Sequence, residues 1–158
     1  MKHIVLTRKH ILAALDVKPH VFRQWTEKLD PYRSQESKIR IFRKFDKRDL
    51  LFFSVARSLL IYFKIPIEVI GTFSGNLAAS LAKPMSAVSP RSIFVNIKSC
   101  DVSSYRLLTS ESGIVMELEP HFRLCDAFFD CDGEDKQTLL PFGLVDLGGQ
   151  SRKSGAGS

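Results

Sequence analysis

The sequence predicts an α+β protein in which a basic, helical N-terminal half precedes a small antiparallel, β-rich half. Three observations lead there. Before residue 84, four stretches carry apolar residues and start signals in the pattern of helices. Beyond Pro84 and Pro90 the pattern changes to short apolar runs separated by polar turns, the signature of strands. Charge divides as well: residues 1–64 hold 15 Lys/Arg against 6 Asp/Glu, whereas residues 65–150 hold 6 against 11. Such asymmetry is expected when one half of a chain meets a polyanion.

Thr7 is a good N-cap for a first helix from Arg8 to Leu15, with Leu6 and Ile11 at the two positions of a hydrophobic staple. The chain then turns through Asp16, Val17 and Lys18 to Pro19, a residue favoured at the first position of a helix. This second helix, to about Lys28, buries Phe22, Trp25 and Val21 and leaves Lys18, His20, Arg23, Gln24 and Glu27 toward solvent. From Asp30 to Ser37 the chain is polar and turn-rich. Lys38-Ile39-Arg40-Ile41 then alternates cation with β-branched residue, the period of a strand with one packed face. Asp46 caps a third helix, Asp49 adds negative charge to its first turn, and Phe45 with Leu50 repeats the staple. Apolar residues from Leu50 to Phe63 wrap around most of that helix, so it requires cover on two sides. The N-terminal core supplies one side, and the C-terminal sheet or a second subunit the other. A fourth helix runs from Pro66 to about Lys83. Four strands follow, Ser92–Ile97, Ser104–Thr109, Ile114–Glu119 and Phe122–Phe129. The expected division is 1–83, 91–147 and a disordered tail, 148–158.

Two short helices joined by about three residues form a helix-turn-helix, and Arg and Gln read guanine and adenine through paired hydrogen bonds. An ordinary helical hairpin with a wet outer face explains these helices equally well. The ribbon that follows, with cations on its outer face, shifts the balance toward a winged helix-turn-helix, whose wing holds phosphates without reading sequence.

VKPHVFRQWTEKLDPYR followed by FRKFDKRDLLFF resembles the DNA-binding domain of MerR-family transcription regulators. The family pattern runs roughly V-S-x-x-T-L-R-Y-W-E-x-x-G-L-x-x-P-x-R, then Y-R-x-Y-x-x-x-D-L. Arg23 falls on its recognition-helix arginine and Trp25 on the aromatic. Leu29, Pro31 and Arg33 fall on its leucine, proline and second arginine. Phe42, Arg43 and Phe45 fall on the Y-R-x-Y group, and Asp49-Leu50 on D-L. Lys64 to Ile70 is similar to the family's G-[FM]-[SP]-[LI]-x-x-I turn. The resemblance covers about residues 4–71. Lys18 stands where the family has a serine cap, Gln24 an aromatic, Thr26 an acid and Lys64 a glycine, and the chain between Trp25 and Pro31 is about one residue shorter. These departures suggest a divergent member from a phage or mobile element.

The resemblance implies a sequence-specific, double-stranded DNA-binding transcription regulator acting as a homodimer. Helix 19–28 would enter the major groove, with His20, Arg23 and Gln24 toward bases or adjoining phosphates. Arg33, Lys38, Arg40, Arg43 and Lys44 would hold the backbone from the wing, 33–44. Thr7 and Lys18 would contribute at helix N-termini, where backbone N–H groups favour phosphate. The β-rich region would serve dimerisation, sensing or a protein partner. Two other functions fit the same residues: an excisionase-like architectural factor that bends DNA, or a protein-interaction module working through the acidic half.

Other classes find little support in the sequence. The start MKHIVLTRKHI returns to charge too soon for a signal peptide, and no apolar run approaches the ~18 residues of a membrane span. Cys100, Cys125 and Cys131 cannot all pair within one chain, which fits a reducing cytoplasm. His121, Cys125 and Cys131 lack zinc spacing and a fourth ligand. Asp130, Asp132, Glu134 and Asp135 lack the order of a calcium loop. No catalytic constellation or phosphate-binding glycine loop is present, and no cofactor, metal or membrane partner is expected.

Overall fold

Five helices and three strands follow in chain order within the computed structural model, which describes residues 5–33, 44–83, 92–104 and 111–130. Helix α1 (Arg8–Leu15) begins where Thr7 is extended and His10 Nδ1 accepts the Thr7 N–H at 3.0 Å. It stops at Asp16, whose φ of 50° lies in the left-handed region that Asp tolerates better than most residues. Helix α2 (Pro19–Lys28) starts on Pro19, as expected, and buries Phe22 and Trp25. Arg8 ties the two helices together, donating from Nη2 to the Pro19 carbonyl at 2.8 Å with its guanidinium over the Phe22 ring.

Helix α3 (Lys47–Ile61) opens with a reciprocal cap. Asp49 N–H donates to Asp46 Oδ1 at 3.0 Å, and Asp46 N–H donates to Asp49 Oδ2 at 2.8 Å. Tyr32 adds a hydrogen bond from its hydroxyl to Asp49. Burial pushes the Asp49 carboxyl above its ordinary pKa, against the opposing pull of the bonds from Tyr32 and Asp46. The core beneath is aromatic. Phe53 lies 4.8 Å from Phe22 and 4.6 Å from Tyr32 between ring centroids, and Phe45, Phe52 and Trp25 pack around it. Each such ring contributes roughly 1.5–3 kcal/mol by leaving water.

Helix α4 (Ile67–Ala82) follows a turn in which Lys64 has a φ of 56°. It crosses close to α2: a Cβ at Gly71 would lie 2.8 Å from the Lys28 carbonyl oxygen. Strands β1 (Ser92–Asn96), β2 (Asp101–Ser104) and β3 (Ile114–Glu117) form an antiparallel sheet in the order β2-β1-β3. Val95 pairs with Val102 on one side and Ile114 on the other. Helix α5 (Glu119–Asp130) completes the described chain. The sheet packs on α4 through β2, and α5 packs on α3. One hydrophobic cluster runs from Leu6 and Ile11 through α3 and α4 to Ile93, Val95, Met116, Leu118 and Cys125.

The α+β class is therefore observed, with three corrections in the C-terminal half. The segment Phe122–Phe129, expected as a strand, lies within α5. Leu118, His121 and Cys125 are buried and Phe128 is half-buried, a spacing of three, four and three that fits a helix, and Pro120 occupies its first turn. The sheet has three strands among the described residues, not four, and β3 ends at Glu117 because Glu119 opens the helix. The second strand lies at Asp101–Ser104, before the expected 104–109, of which 105–109 lie outside the described residues. The second cover of α3, expected from the C-terminal sheet or a second subunit, comes from helix α5. The end of that helix is uncovered among the described residues: Ile61 is 41% exposed, Tyr62 72% and Phe63 43%.

Candidate nucleic-acid interface

Helical spacing sorts α2 into two faces. Phe22 and Trp25 point into the aromatic core at 2% and 4% exposure, which fixes the helix's rotation about its own axis. His20, Arg23 and Gln24 therefore share the opposite, exposed face, with half-buried Glu27 among them and exposed Lys28 at its edge. An exposed helix face carrying two cations, an imidazole and an amide can meet base edges and phosphates together.

Lys18 is the extended, exposed N-cap of α2, and Thr7 the exposed N-cap of α1. Leu6 and Phe45 form a two-way antiparallel bridge, each N–H donating to the other's carbonyl at 2.8 Å. Its register sets Thr7 across from Lys44, which is exposed. Arg33 is exposed and pairs with Asp30 at 2.8 Å. Lys38, Arg40 and Arg43 lie outside the described residues. The flanks of that segment meet, for the Tyr32 and Phe45 rings are 6.3 Å apart.

Two features escaped the sequence reading. Carboxylates accompany the cations of this region: Arg23 Nε lies 2.8 Å from Glu27 Oε1, and Lys28 Nζ lies 3.5 Å from Glu68 Oε1. Lys28, Asp30, Arg33, Glu68, Gly71 and Thr72 line an open cleft of about 350 Å³ between the end of α2 and the start of α4. The Arg23–Glu27 pair is readable from its i, i+4 spacing. The Lys28–Glu68 pair is not, because it depends on how α2 crosses α4. The Arg8 bridge to Pro19 is likewise set by the geometry of the turn.

His121 and Cys125 lie inside the protein, in α5. The Ser54 hydroxyl and His121 Nδ1 are hydrogen-bonded at 2.7 Å across the α3–α5 contact, and the two residues are 4% and 8% exposed. Burial lowers the His121 pKa and pushes the Cys125 thiol up to about 12, the nearby Lys47 charge opposing the latter. Cys131 lies outside the described residues. A buried pair of this kind fastens two helices.

Among the described residues, no helix is long and apolar enough to cross a membrane. Comparison with family models, with curated proteins and with solved structures found no match to the chain.

Proposed function

We propose that this protein is a sequence-specific, double-stranded DNA-binding transcription regulator of MerR-like winged helix-turn-helix type. The observation that carries the reading is the outward stripe of His20, Arg23 and Gln24, edged by Lys28, on a helix pinned from behind by Phe22 and Trp25. Helix α2 enters the major groove, Arg23 and Gln24 meet base edges, and Lys18, Thr7, Arg33 and Lys44 meet phosphates. Lys38, Arg40 and Arg43 extend that backbone contact along the wing.

Two local features support the reading. The contact of Tyr32 with Phe45 brings together the flanks of the proposed wing. Lys64, which stands where the resembled pattern has glycine, has the left-handed φ of 56° that glycine favours. The exposed Ile61, Tyr62 and Phe63 favour a protein partner, and a second copy of the chain is the one that reading two half-sites requires. The regulator acts on the nucleoid in the cytoplasm.

Selection of bound duplexes from a random-sequence library by the full chain tests this function. The expected result is a defined consensus with two-fold symmetry. Recovery of duplexes without any shared sequence would overturn it.

A further inference from the structure

Resting on that DNA-binding reading, we infer that Glu27 is a specificity-determining residue. It holds Arg23 away from phosphates, so that this cation contributes on the correct sequence more than on any other. Carboxylates lie within 2.8 Å and 3.5 Å of two cations of α2, where each weakens the pull of its cation on a phosphate. Arg33, which lines the same cleft, is also paired, with Asp30 at 2.8 Å.

Binding to arbitrary sequence is supplied almost wholly by cations meeting phosphates. A guanidinium tethered to Glu27 is less able to swing toward the nearest phosphate, and its tether keeps it near the rotamer in which it meets a base. The ammonium of Lys28 is drawn by Glu68 toward α4, and so away from the backbone on either side of the groove. Both carboxylates therefore subtract from binding to every duplex. Glu27 returns part of that loss on the correct sequence, because an arginine already ordered loses less side-chain entropy on meeting a guanine. Glu27 and Glu68 act through the cations they hold and are positioning residues. Neither belongs to the DNA-contacting set.

The test uses the full chain and its Glu27→Gln and Glu68→Gln variants, which keep side-chain size while removing charge. Each is titrated against a duplex recovered by selection on the wild-type chain, and against a scrambled duplex of equal length and composition. The scrambled duplex is expected to bind roughly two- to fivefold tighter in each variant, the size of an exposed charge–charge coupling. In Glu27→Gln the selected duplex should gain less than the scrambled one, so the ratio between the two affinities falls, whereas in Glu68→Gln both duplexes should gain alike. A purely helix-stabilising role for Glu27 predicts an unchanged ratio in its variant too, and that result overturns the inference while leaving DNA binding intact. Absence of DNA binding by the wild-type chain overturns the DNA-binding reading and this inference with it. Thermal melting of each variant separates loss of fold from loss of binding.

Discussion

Ser54 and His121 share a hydrogen bond between α3 and α5, where the imidazole is buried and its pKa is lowered from the ordinary 6.5 by desolvation. As pH falls below about 6.5, the unfolded chain takes up a proton that the folded chain resists, so the unfolded state gains. The stability supplied by neutral His121 is complete above that pH and is lost progressively below it, toward the lower folded value. Urea unfolding at about pH 7.5 and about pH 5 should show a midpoint that drops on acidification, and the drop should be smaller in His121→Asn. Equal drops in the two proteins would contradict the assignment. Cys125 provides a second check at this scale. With its thiol pushed up to about 12, it has almost no thiolate at neutral pH, whereas Cys100 is partly exposed. Iodoacetamide followed by peptide mapping should find Cys100 alkylated in the native protein and Cys125 only after unfolding. The sequence showed which residues of α2 face outward, because Phe22 and Trp25 fix a helical period. It did not show the pairing of Ser54 with His121, whose partners are distant along the chain and meet only through packing.

At the scale of elements, the N-terminal helices were legible because each has a chemical start signal: Thr7, Pro19, Asp46 and Pro66 stand at or beside the observed beginnings. Helix α5 was not, for its run FRLCDAFF is rich in aromatic residues, and a short apolar run fits a strand or a helix almost equally. Its buried spacing is visible only once Leu118 and His121 are counted with it. The approach of α4 to α2 makes a sharper prediction than propensity does. A methyl at Gly71 would meet the Lys28 backbone oxygen at 2.8 Å, whereas one at Gly75 would sit 3.9 Å from Asp30 Cβ, at ordinary contact distance. Alanine favours a helix by up to about 1 kcal/mol over glycine. Gly75→Ala should therefore be neutral or slightly stabilising in thermal melts, while Gly71→Ala should destabilise by about 1–3 kcal/mol, because a helix backbone must shift. A Gly71→Ala protein as stable as Gly75→Ala would show that the two helices do not pack so closely.

Across the whole molecule, the division of charge read from the sequence acquires a physical form. The basic half carries the α2 stripe, while α5 from the acidic half packs on α3 and is tied to its first turn by the ion pair of Lys47 with Asp126. Phe128 lies against His10 of α1, with ring centroids 6.3 Å apart, so α5 also touches the helix that precedes α2. The sequence did not disclose this arrangement, since it placed strands where α5 lies. The central claim is that the exposed face of α2 binds DNA, and its most direct test is the salt dependence of affinity for a selected duplex, measured on the wild-type chain and on Arg23→Ala. A dimer neutralising ~6–10 phosphates should lose roughly 10³- to 10⁵-fold in affinity between about 50 and 200 mM salt. At fixed salt, Arg23→Ala should bind the selected duplex about 1–3 kcal/mol more weakly while retaining most of its affinity for scrambled DNA. A flat salt response, or full affinity in Arg23→Ala, would contradict the claim.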